Sequence, residues 1–355
     1  MLKYFIRIIA SWLVISGLSG CTALRPTSPE KFVWPPPPEK ARISWLGVYR
    51  SQLDLPSTSL RRFKEAIVGE DQPTVIRKPV DVKSDPQRNR FYVADLDAGG
   101  IFVFDLNEPG LSLIHPSDGP FKPISLTIDA NGAIYALEIA SRKIHLFEAS
   151  GSYARTITLP QTCKRPVAIQ VEPSGENFYV VDSAPGRLVF IDKNGAELFS
   201  TNKTTVPDEV LNRPTGIAIN SKSEIIISDA FNARYYVYSR DGVPLSTHGT
   251  RGDGASDFQL IKGVAVDSDD NIYVIDSRSN SIKIFDRPGN FLYSLGGYRS
   301  VRSSATVAPG GFVLPVSISI DSSDKIYVAD QLNQQIQVFQ YISDSAENSH
   351  HPSAK

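Results

Sequence analysis

The sequence is poor in the residues that build metal centres and covalent cross-links. Its 355 residues include 2 cysteines, 5 histidines and 1 methionine. Two cysteines are too few for a disulfide framework, a cysteine-rich zinc domain or an iron–sulfur cluster. No H-E-x-x-H pattern is present, and no Gly-rich phosphate loop joins a strand to a helix. We therefore expect neither a metal ion nor another cofactor.

An excess of charge of one sign is also missing. Lysine and arginine total 37 and aspartate and glutamate total 38, which gives a formal net charge of −1. Because no global positive field results, we expect no nucleic-acid partner. The hydrophobic fraction is 41%, which is enough for a substantial core and argues against general disorder.

The N-terminus has the pattern of an export signal. Lys3 and Arg7 precede an apolar segment at residues 8–18, whose length is typical of a signal peptide and short for a membrane span. The Leu-Ser-Gly-Cys sequence at 18–21 resembles the lipobox of bacterial lipoproteins. A simple secretory signal cut nearby and an uncleaved anchor are the alternatives.

The lipobox resemblance implies that residues 1–20 are removed and that Cys21 carries acyl chains, palmitate among them. Several chains anchor a protein stably where a single chain is marginal. Thr22 is not the aspartate that would resemble an inner-membrane retention signal. We therefore expect attachment to the bacterial cell envelope, at the outer membrane, facing the periplasm or the cell surface.

Residues 21–40 are expected to form a stalk between the lipid and the fold. Four consecutive prolines at 35–38 favour a stiff polyproline II segment there. The alternative interpretation of this segment is a ligand for a proline-recognition module.

A pattern in six copies dominates the rest of the chain. Its first residue, usually proline, is followed six residues later by an acid or asparagine, and a second acid comes nine or ten residues after that. The copies are Pro79–Asp85–Asp95, Pro123–Asp129–Glu138, Pro166–Glu172–Asp182, Pro214–Asn220–Asp229, Ile261–Asp267–Asp276 and Pro315–Asp321–Asp330. Their last members lie 43, 44, 47, 47 and 54 residues apart, which indicates one structural unit in six copies.

The fifth copy shows the strand pattern of the unit. Short β-branched and aromatic runs, separated by turn residues, occupy 263–267, 272–276, 281–285 and 291–295. Four antiparallel strands in about 45 residues describe a propeller blade. The sequence thus predicts an all-β fold, a six-bladed β-propeller with four-stranded antiparallel blades.

The repeated unit resembles the NHL repeat. Residues 214–220, Pro-Thr-Gly-Ile-Ala-Ile-Asn, and residues 326–330, Ile-Tyr-Val-Ala-Asp, have its form, and the likeness extends over residues 75–340. The chain as a whole resembles bacterial cell-envelope NHL lipoproteins. Its departures from the pattern are Glu138, Asn220 and Ile261.

The closure of the ring can be predicted from what the last copy lacks. After residues 337–340 the chain enters a polar tail, so blade six has no fourth strand of its own. We predict that the strand-like stretch at 42–49 completes blade six and hides two sheet edges. One domain then spans residues 41–342, the tail at 343–355 is disordered, and the propeller is monomeric.

One helical pattern interrupts the predicted strands. Leu60, Phe63 and Ile67 recur at helical spacing within residues 60–68. Ser59 is the candidate N-cap of this helix, and Gly69 is its stop.

Each copy ends on an acid that follows its second strand and begins a loop. Such a residue can cap its own turn by accepting backbone N–H groups, and its recurrence in every blade favours architecture over catalysis. The acids predicted to be structural are Asp95, Glu138, Asp182, Asp229, Asp276 and Asp330.

Basic residues recur at two places in the repeats, beside the first residue of the unit and in the loops after the second strands. By the geometry of the NHL family, both groups would circle one face of the ring. They are Lys78, Lys122, Arg165, Arg213 and Lys262, and Arg142, Arg187, Arg234 and Arg278. We predict a binding face for an acidic polysaccharide, a lipid head group or an acidic protein. Alternatively, each cation pairs with a neighbouring structural acid, which would add little stability.

The sequence offers no catalytic constellation. Cys163 has no histidine close in sequence and is interpreted as a structural thiol in a loop. The first strand of each blade, its inner strand, lines the central tunnel of a propeller. We expect these strands to begin at the tunnel mouth with Asp81, Ser125, Ala168, Gly216, Gly263 and Ser317. This ring holds a single carboxylate, which is too few for a calcium cage. We therefore predict a lipid-anchored binding or scaffold protein. The alternative is a propeller enzyme of the metal-dependent lyase or lactonase type, with its site at the tunnel mouth.

Overall fold

The computed structural model describes residues 32–57, 73–201, 210–301 and 308–343. The predicted signal peptide, Cys21, the helix predicted at 60–68 and the tail beyond residue 343 lie outside these ranges. Within them, every regular element is a β-strand apart from one 3-10 turn at Gln52–Asp54. No helix in the described part of the chain is long and apolar enough to cross a membrane.

The strands are numbered β1 to β27 in chain order. The first half comprises β1 Val33–Trp34, β2 Ile43–Tyr49, β3 Pro79–Asp85, β4 Arg90–Asp95, β5 Gly100–Asp105, β6 Gly110–Ile114, β7 Pro123–Ile128, β8 Ile134–Glu138, β9 Lys143–Phe147, β10 Tyr153–Thr158, β11 Pro166–Val171, β12 Asn177–Asp182, β13 Arg187–Asp192 and β14 Glu197–Ser200. The second half comprises β15 Pro214–Ile219, β16 Ile225–Asp229, β17 Arg234–Tyr238, β18 Pro244–His248, β19 Ile261–Val266, β20 Ile272–Asp276, β21 Ser281–Phe285, β22 Phe291–Leu295, β23 Gly297–Tyr298, β24 Gly311–Phe312, β25 Pro315–Ile320, β26 Lys325–Asp330 and β27 Gln335–Tyr341.

The strands form six antiparallel blades. Blades one to five are the consecutive sheets β3–β6, β7–β10, β11–β14, β15–β18 and β19–β22. Blade six has the strand order β1-β2-β27-β26-β25, and the short strands β23 and β24 form a separate parallel pair between blades five and six. The six-bladed all-β propeller predicted from the sequence is confirmed.

The hydrophobic core lies between the blades. Six clusters of buried side chains each combine residues of two neighbouring blades, and one of them joins blade six to blade one. In that cluster the rings of Phe91 and Tyr327 approach to 5.4 Å between centroids. Because each middle strand is covered on both faces, the β-branched and aromatic runs are buried continuously rather than alternately, as in Ile272–Asp276.

The N-terminal strand closes the ring. β2 pairs antiparallel with β27, so that Ser44 lies opposite Gln340 and Tyr49 lies opposite Ile336. Tyr49 also contacts blade one, with its ring 5.0 Å from that of Phe91. The predicted closure is confirmed, and this strand covers the outer edge of blade six while it packs on the neighbouring blade.

Part of the segment predicted to be a stalk belongs to blade six. Val33 and Trp34 form β1, which pairs with β2, and the Trp34 ring lies 5.7 Å from that of Phe339. The prolines at 35–38 therefore lie where the chain reverses, and a backbone hydrogen bond of 3.3 Å joins Glu39 to Pro36. An extended polyproline II stalk through these residues was a wrong prediction, because antiparallel pairing of β1 with β2 requires a turn between them.

Candidate partner-binding face

Each inner strand begins with a β-bulge beside the tunnel. In β3 the register shifts between Pro79 and Asp81, and the inner strands of the other blades shift at the equivalent place. Proline donates no N–H to the ladder, so it suits the first residue of a strand or a bulge. One end of the tunnel is a cavity of about 60 Å³, whose lining includes Asp81, Ser125, Ala168, Gly216, Gly263 and Ser317.

The two ends of the tunnel belong to two faces of different construction. Antiparallel pairing places Pro79 opposite Asp95, so the strand starts and the loops after the second strands share one face. We call it the loop face. The opposite face carries the turns between the first and second strands, such as residues 86–89, and we call it the turn face.

The acids that follow the second strands accept hydrogen bonds from the backbone. The Asp229 carboxylate accepts from the N–H groups of Asn212 and Arg213 at 2.5 and 3.0 Å. It also accepts from Phe231 and Asn232 at 3.1 and 3.2 Å. One side chain thus ties the linker that enters the blade to the loop that follows its second strand.

The same arrangement recurs around the ring. The fully buried members of the set are Asp95, Asp182, Asp229, Asp276 and Asp330. Asp95, for example, accepts from the backbone of Arg77 and Lys78 on one oxygen and of Asp97 and Ala98 on the other. A buried carboxylate that receives several N–H groups is well satisfied without a cation.

Blade two uses a glutamate for the same purpose. Glu138 accepts from the Lys122 N–H at 2.9 Å and from the Ser141 hydroxyl at 2.5 Å. The longer side chain also approaches His145, whose Nε2 lies 3.6 Å from it. Burial lowers the pKa of His145, and the opposing attraction of Glu138 is smaller. The imidazole is therefore neutral at pH 7 and belongs to the packing between blades one and two.

The basic residues beside the strand starts form no ion pair with a residue in the described ranges. They are Lys78, Lys122, Arg165, Arg213 and Lys262. Of the structural acids in the same blades, Asp95, Asp182, Asp229 and Asp276 are fully buried, whereas Glu138 is partly exposed. Lys78, Lys122 and Arg165 are exposed, whereas Arg213 and Lys262 are half-buried.

Lys262, Arg213 and Arg165 form one cationic cluster on the loop face. Burial lowers the pKa of the Lys262 ammonium, and the positive charges of Arg213 and Arg165 lower it further. In blade five the bulge spans both Lys262 and Gly263, because the register resumes only at Val264. Lys262 therefore lies within β19, one residue after the position that the basic residues occupy in the other blades.

An exposed aromatic ring lies beside the cluster. The Arg213 guanidinium lies 5.4 Å from the centroid of the Phe231 ring, and Phe231 is 58% exposed. Phe231 follows Asp229 by two residues, at the tip of the loop after the second strand. Blade four therefore presents a cation and a flat apolar surface side by side.

The second group of predicted cations is divided by the structure. Arg278 is exposed at the equivalent loop tip of blade five, and Arg142 has a φ of 54° in its loop. Arg234 begins β17 opposite Asp229. Arg187 is engaged elsewhere: its guanidinium lies 3.5 Å from Glu197, and 3.6 Å from Asp182. We therefore remove Arg187 from the candidate binding face, because its charge is compensated within blade three.

Two groups considered for chemistry have structural surroundings. Asp81 accepts from the Leu126 N–H at 2.6 Å and from the Ser317 hydroxyl, so it links blades one, two and six around the tunnel. Cys163 lies in a loop but is fully buried, and burial raises the pKa of its thiol to about 11. In the described part of the chain, no group of three or more His, Cys, Asp or Glu side chains could hold a metal ion.

Sequence reasoning missed the ion pairs that join blades on the turn face. Arg240 of blade four lies 2.5 Å from Glu172 of blade three, and Arg287 of blade five lies 3.0 Å from Glu224 of blade four. Glu172 occupies the first acid position of the repeat, so the pattern indicated its importance but not its partner. Phe231 was missed because the residue two places after the loop acid differs from copy to copy.

Comparison with known families supports the repeat assignment. The NHL repeat family model matches residues 258–285, which run from the linker before blade five through its third strand. No curated protein matches the chain.

Solved structures of similar fold share little sequence with the chain. A structural-genomics protein of unknown function from Bacteroides thetaiotaomicron is 17% identical with a TM-score of 0.59, over 75% of this chain and 70% of that one. A streptogramin B lyase is 12% identical with a TM-score of 0.55, over 78% of this chain and 85% of that one. Virginiamycin B lyase from Staphylococcus aureus is 14% identical with a TM-score of 0.54, over 75% and 95%. At these identities the likeness establishes the propeller fold.

Proposed function

Since the chain is an NHL-repeat six-bladed β-propeller, we propose that it is a lipid-anchored, non-catalytic binding protein that recognises an acidic polysaccharide through its loop face. The observation that carries the proposal is the cluster of Lys262, Arg213 and Arg165, which has no carboxylate partner among the described residues. Like charges held close together repel one another, which raises the free energy of the folded protein. An anionic partner would relieve that repulsion.

The aromatic ring beside the cluster favours a glycan over other anions. A sugar ring can stack its apolar face on Phe231 while its carboxylate pairs with Arg213. Arginine suits this role because its planar guanidinium can contact a carboxylate through two N–H groups. An acidic protein would use the same charges but would have no particular need of the exposed ring.

The test compares two variants that lose the same number of charges. In the first, Arg165, Arg213 and Lys262 are replaced by glutamine. In the control, the turn-face residues Arg88, Arg240 and Arg287 are replaced by glutamine. Binding of each protein to alginate is measured by calorimetry at two salt concentrations, because exposed charge interactions weaken as salt rises.

We expect the loop-face variant to bind alginate about tenfold or more weakly, equivalent to about 1.4 kcal/mol, with the control unchanged. The affinity of the unmodified protein should fall on raising the salt concentration. Equal loss in both variants would show non-specific attraction and contradict the proposal. A pull-down from envelope extracts that recovers only acidic proteins would replace the glycan by a protein partner.

The anchor is tested separately. Mass spectrometry of the protein isolated from its host should find acyl chains on Cys21, and Cys21→Ser should release the protein from the membrane fraction. An unmodified Cys21 would contradict the lipid anchor while leaving the binding face in place. Elemental analysis addresses the lyase or lactonase alternative, since stoichiometric calcium or zinc in the purified protein would support it.

A further inference from the structure

The turn-face end of the tunnel forms a second cavity, with a volume of about 240 Å³. Its polar lining includes Lys83, Ser84, Thr127, Gln170 and Ser319, and isoleucine, valine and alanine residues complete the wall. Lys83 also lines the narrower cavity at the loop-face end, so its side chain lies along the tunnel between the two. This cavity is separate from the cationic cluster of the loop face.

Lys83 is the one charged residue at its position in the six inner strands. The strand pairing aligns it with uncharged residues of the other blades, namely Thr127, Gln170, Ala218, Ala265 and Ser319. No described residue forms an ion pair or a hydrogen bond with the Lys83 ammonium. The buried hydroxyl of its neighbour Ser84 also has no partner among the described residues.

An uncompensated ammonium inside a tunnel is a specific electrostatic feature. The protein walls have a lower dielectric constant than water and concentrate the field of the single charge along the axis. A charge removed from bulk water is stabilised by a partner of opposite sign. Thr127 and Gln170 add polar groups to the lining of the same cavity. The Thr127 hydroxyl accepts a hydrogen bond from the Val171 N–H at 3.1 Å.

We propose that the turn-face cavity binds a sugar acid of monosaccharide size, with its carboxylate against Lys83 and its hydroxyl groups against Gln170 and Ser319. One ammonium matches one carboxylate, whereas a doubly charged phosphate would keep an uncompensated charge. The size also fits, since a cavity of about 150 Å³ is enough for a benzene ring. This binding is independent of the loop-face proposal, because it involves other residues at the other end of the tunnel.

The experiment uses the mature propeller and defined small ligands. Calorimetry at low salt measures binding of glucuronate, with glucose as the neutral counterpart and inorganic phosphate as an anion without a sugar. Three variants are compared with the unmodified protein. Lys83→Met keeps the aliphatic stem and removes the charge, Lys83→Arg keeps the charge, and Lys222→Met removes a lysine exposed on the turn face outside the cavity.

We expect glucuronate to bind the unmodified protein and Lys222→Met equally, and glucose to bind much more weakly. Lys83→Met should weaken glucuronate binding about 30-fold, as for loss of one partner of a close charge pair, while Lys83→Arg should retain most of it. An unchanged melting temperature of Lys83→Met excludes misfolding as the cause. Equal glucuronate binding by Lys83→Met, or tighter binding of phosphate than of glucuronate, would overturn the proposal. Loss of alginate binding in the loop-face variant would not affect this result.

Discussion

The two faces of the ring use their carboxylates in different ways. On the turn face, Glu172 and Glu224 pair with arginines of the next blade, so acids and bases compensate one another. Turn-face acids such as Asp129 and Asp321 also accept backbone N–H groups, but the loop-face aspartates, such as Asp229, are fully buried. Among the described residues, the five cations beside the strand starts, Lys78, Lys122, Arg165, Arg213 and Lys262, therefore form no ion pair.

This difference explains how a nearly neutral chain can have a positively charged surface. The net charge of −1 counts buried and exposed acids alike. A carboxylate enclosed by N–H groups contributes its charge to the total but is not free to pair with a cation on the surface. The five cations beside the strand starts pair with no carboxylate among the described residues, whereas Arg240 and Arg287 of the turn face join neighbouring blades.

The largest expected effect is the loss of the closed ring, on which both faces depend. Deletion of residues 43–49 removes β2, exposes the edge of β27 and uncovers the cluster between blades six and one. We expect the cooperative thermal transition to disappear in calorimetry. The control is Leu46→Ser in the same strand, where the side chain is 51% exposed and the change should be small. A retained transition in the deletion variant would contradict closure by this strand.

The next prediction compares one acid from each face. Asp229→Ala leaves four backbone N–H groups without their acceptor, so we expect a loss of about 3 kcal/mol in the free energy of unfolding. Glu224→Gln weakens a partly exposed pair with Arg287 and should cost less than about 1 kcal/mol. Urea unfolding of the two variants measures both values. Similar losses would mean that the faces do not differ as described.

The sequence predicts the blades well because each blade is encoded locally. Apolar runs of strand length, separated by turn residues, recur with a constant spacing, and each run becomes a strand. The backbone of the loops is equally regular. The residue four places after the loop acid has a positive φ in all six blades, at Gly99, Arg142, Gly186, Ala233, Asn280 and Gln334.

The parts that the sequence did not predict depend on contacts between distant residues. Trp34 was assigned to a stalk because prolines follow it, yet it packs on Phe339 at the other end of the chain. The lack of an ion-pair partner for Lys83 among the described residues depends on all six inner strands together. Such features follow from the closed ring and not from any single repeat.

A third prediction concerns an acid of the loop face. Burial raises the pKa of Asp330 to about 6, against the lowering effect of hydrogen bonds from Val313, Asn333 and Gln335. The folded state therefore favours the protonated carboxyl. The contribution of this preference to the free energy of unfolding is complete below about pH 4 and is lost as the pH rises through 6. From linkage we expect about 2 to 3 kcal/mol over this window.

The matched variant for this prediction is Asp330→Asn, which cannot lose a proton. Between pH 4 and pH 6, the unfolding free energy of the unmodified protein should fall relative to that of Asp330→Asn. Urea unfolding at intervals across the window measures it. A constant difference would mean that the carboxyl is ionised throughout.

The smallest expected effect separates two lysines of blade five. The Lys283 ammonium donates hydrogen bonds to the backbone oxygens of Asp257 and Gly254 in the linker, so Lys283→Met leaves those groups unpaired and should cost about 2 kcal/mol. Lys262 has no such bonds, and burial and two arginines oppose its charge. Lys262→Met should therefore change the unfolding free energy by less than about 0.5 kcal/mol, with any change towards greater stability. If Lys262→Met instead destabilised the protein as much as Lys283→Met does, the loop-face cluster would be part of the structural framework and not a surface kept for a partner.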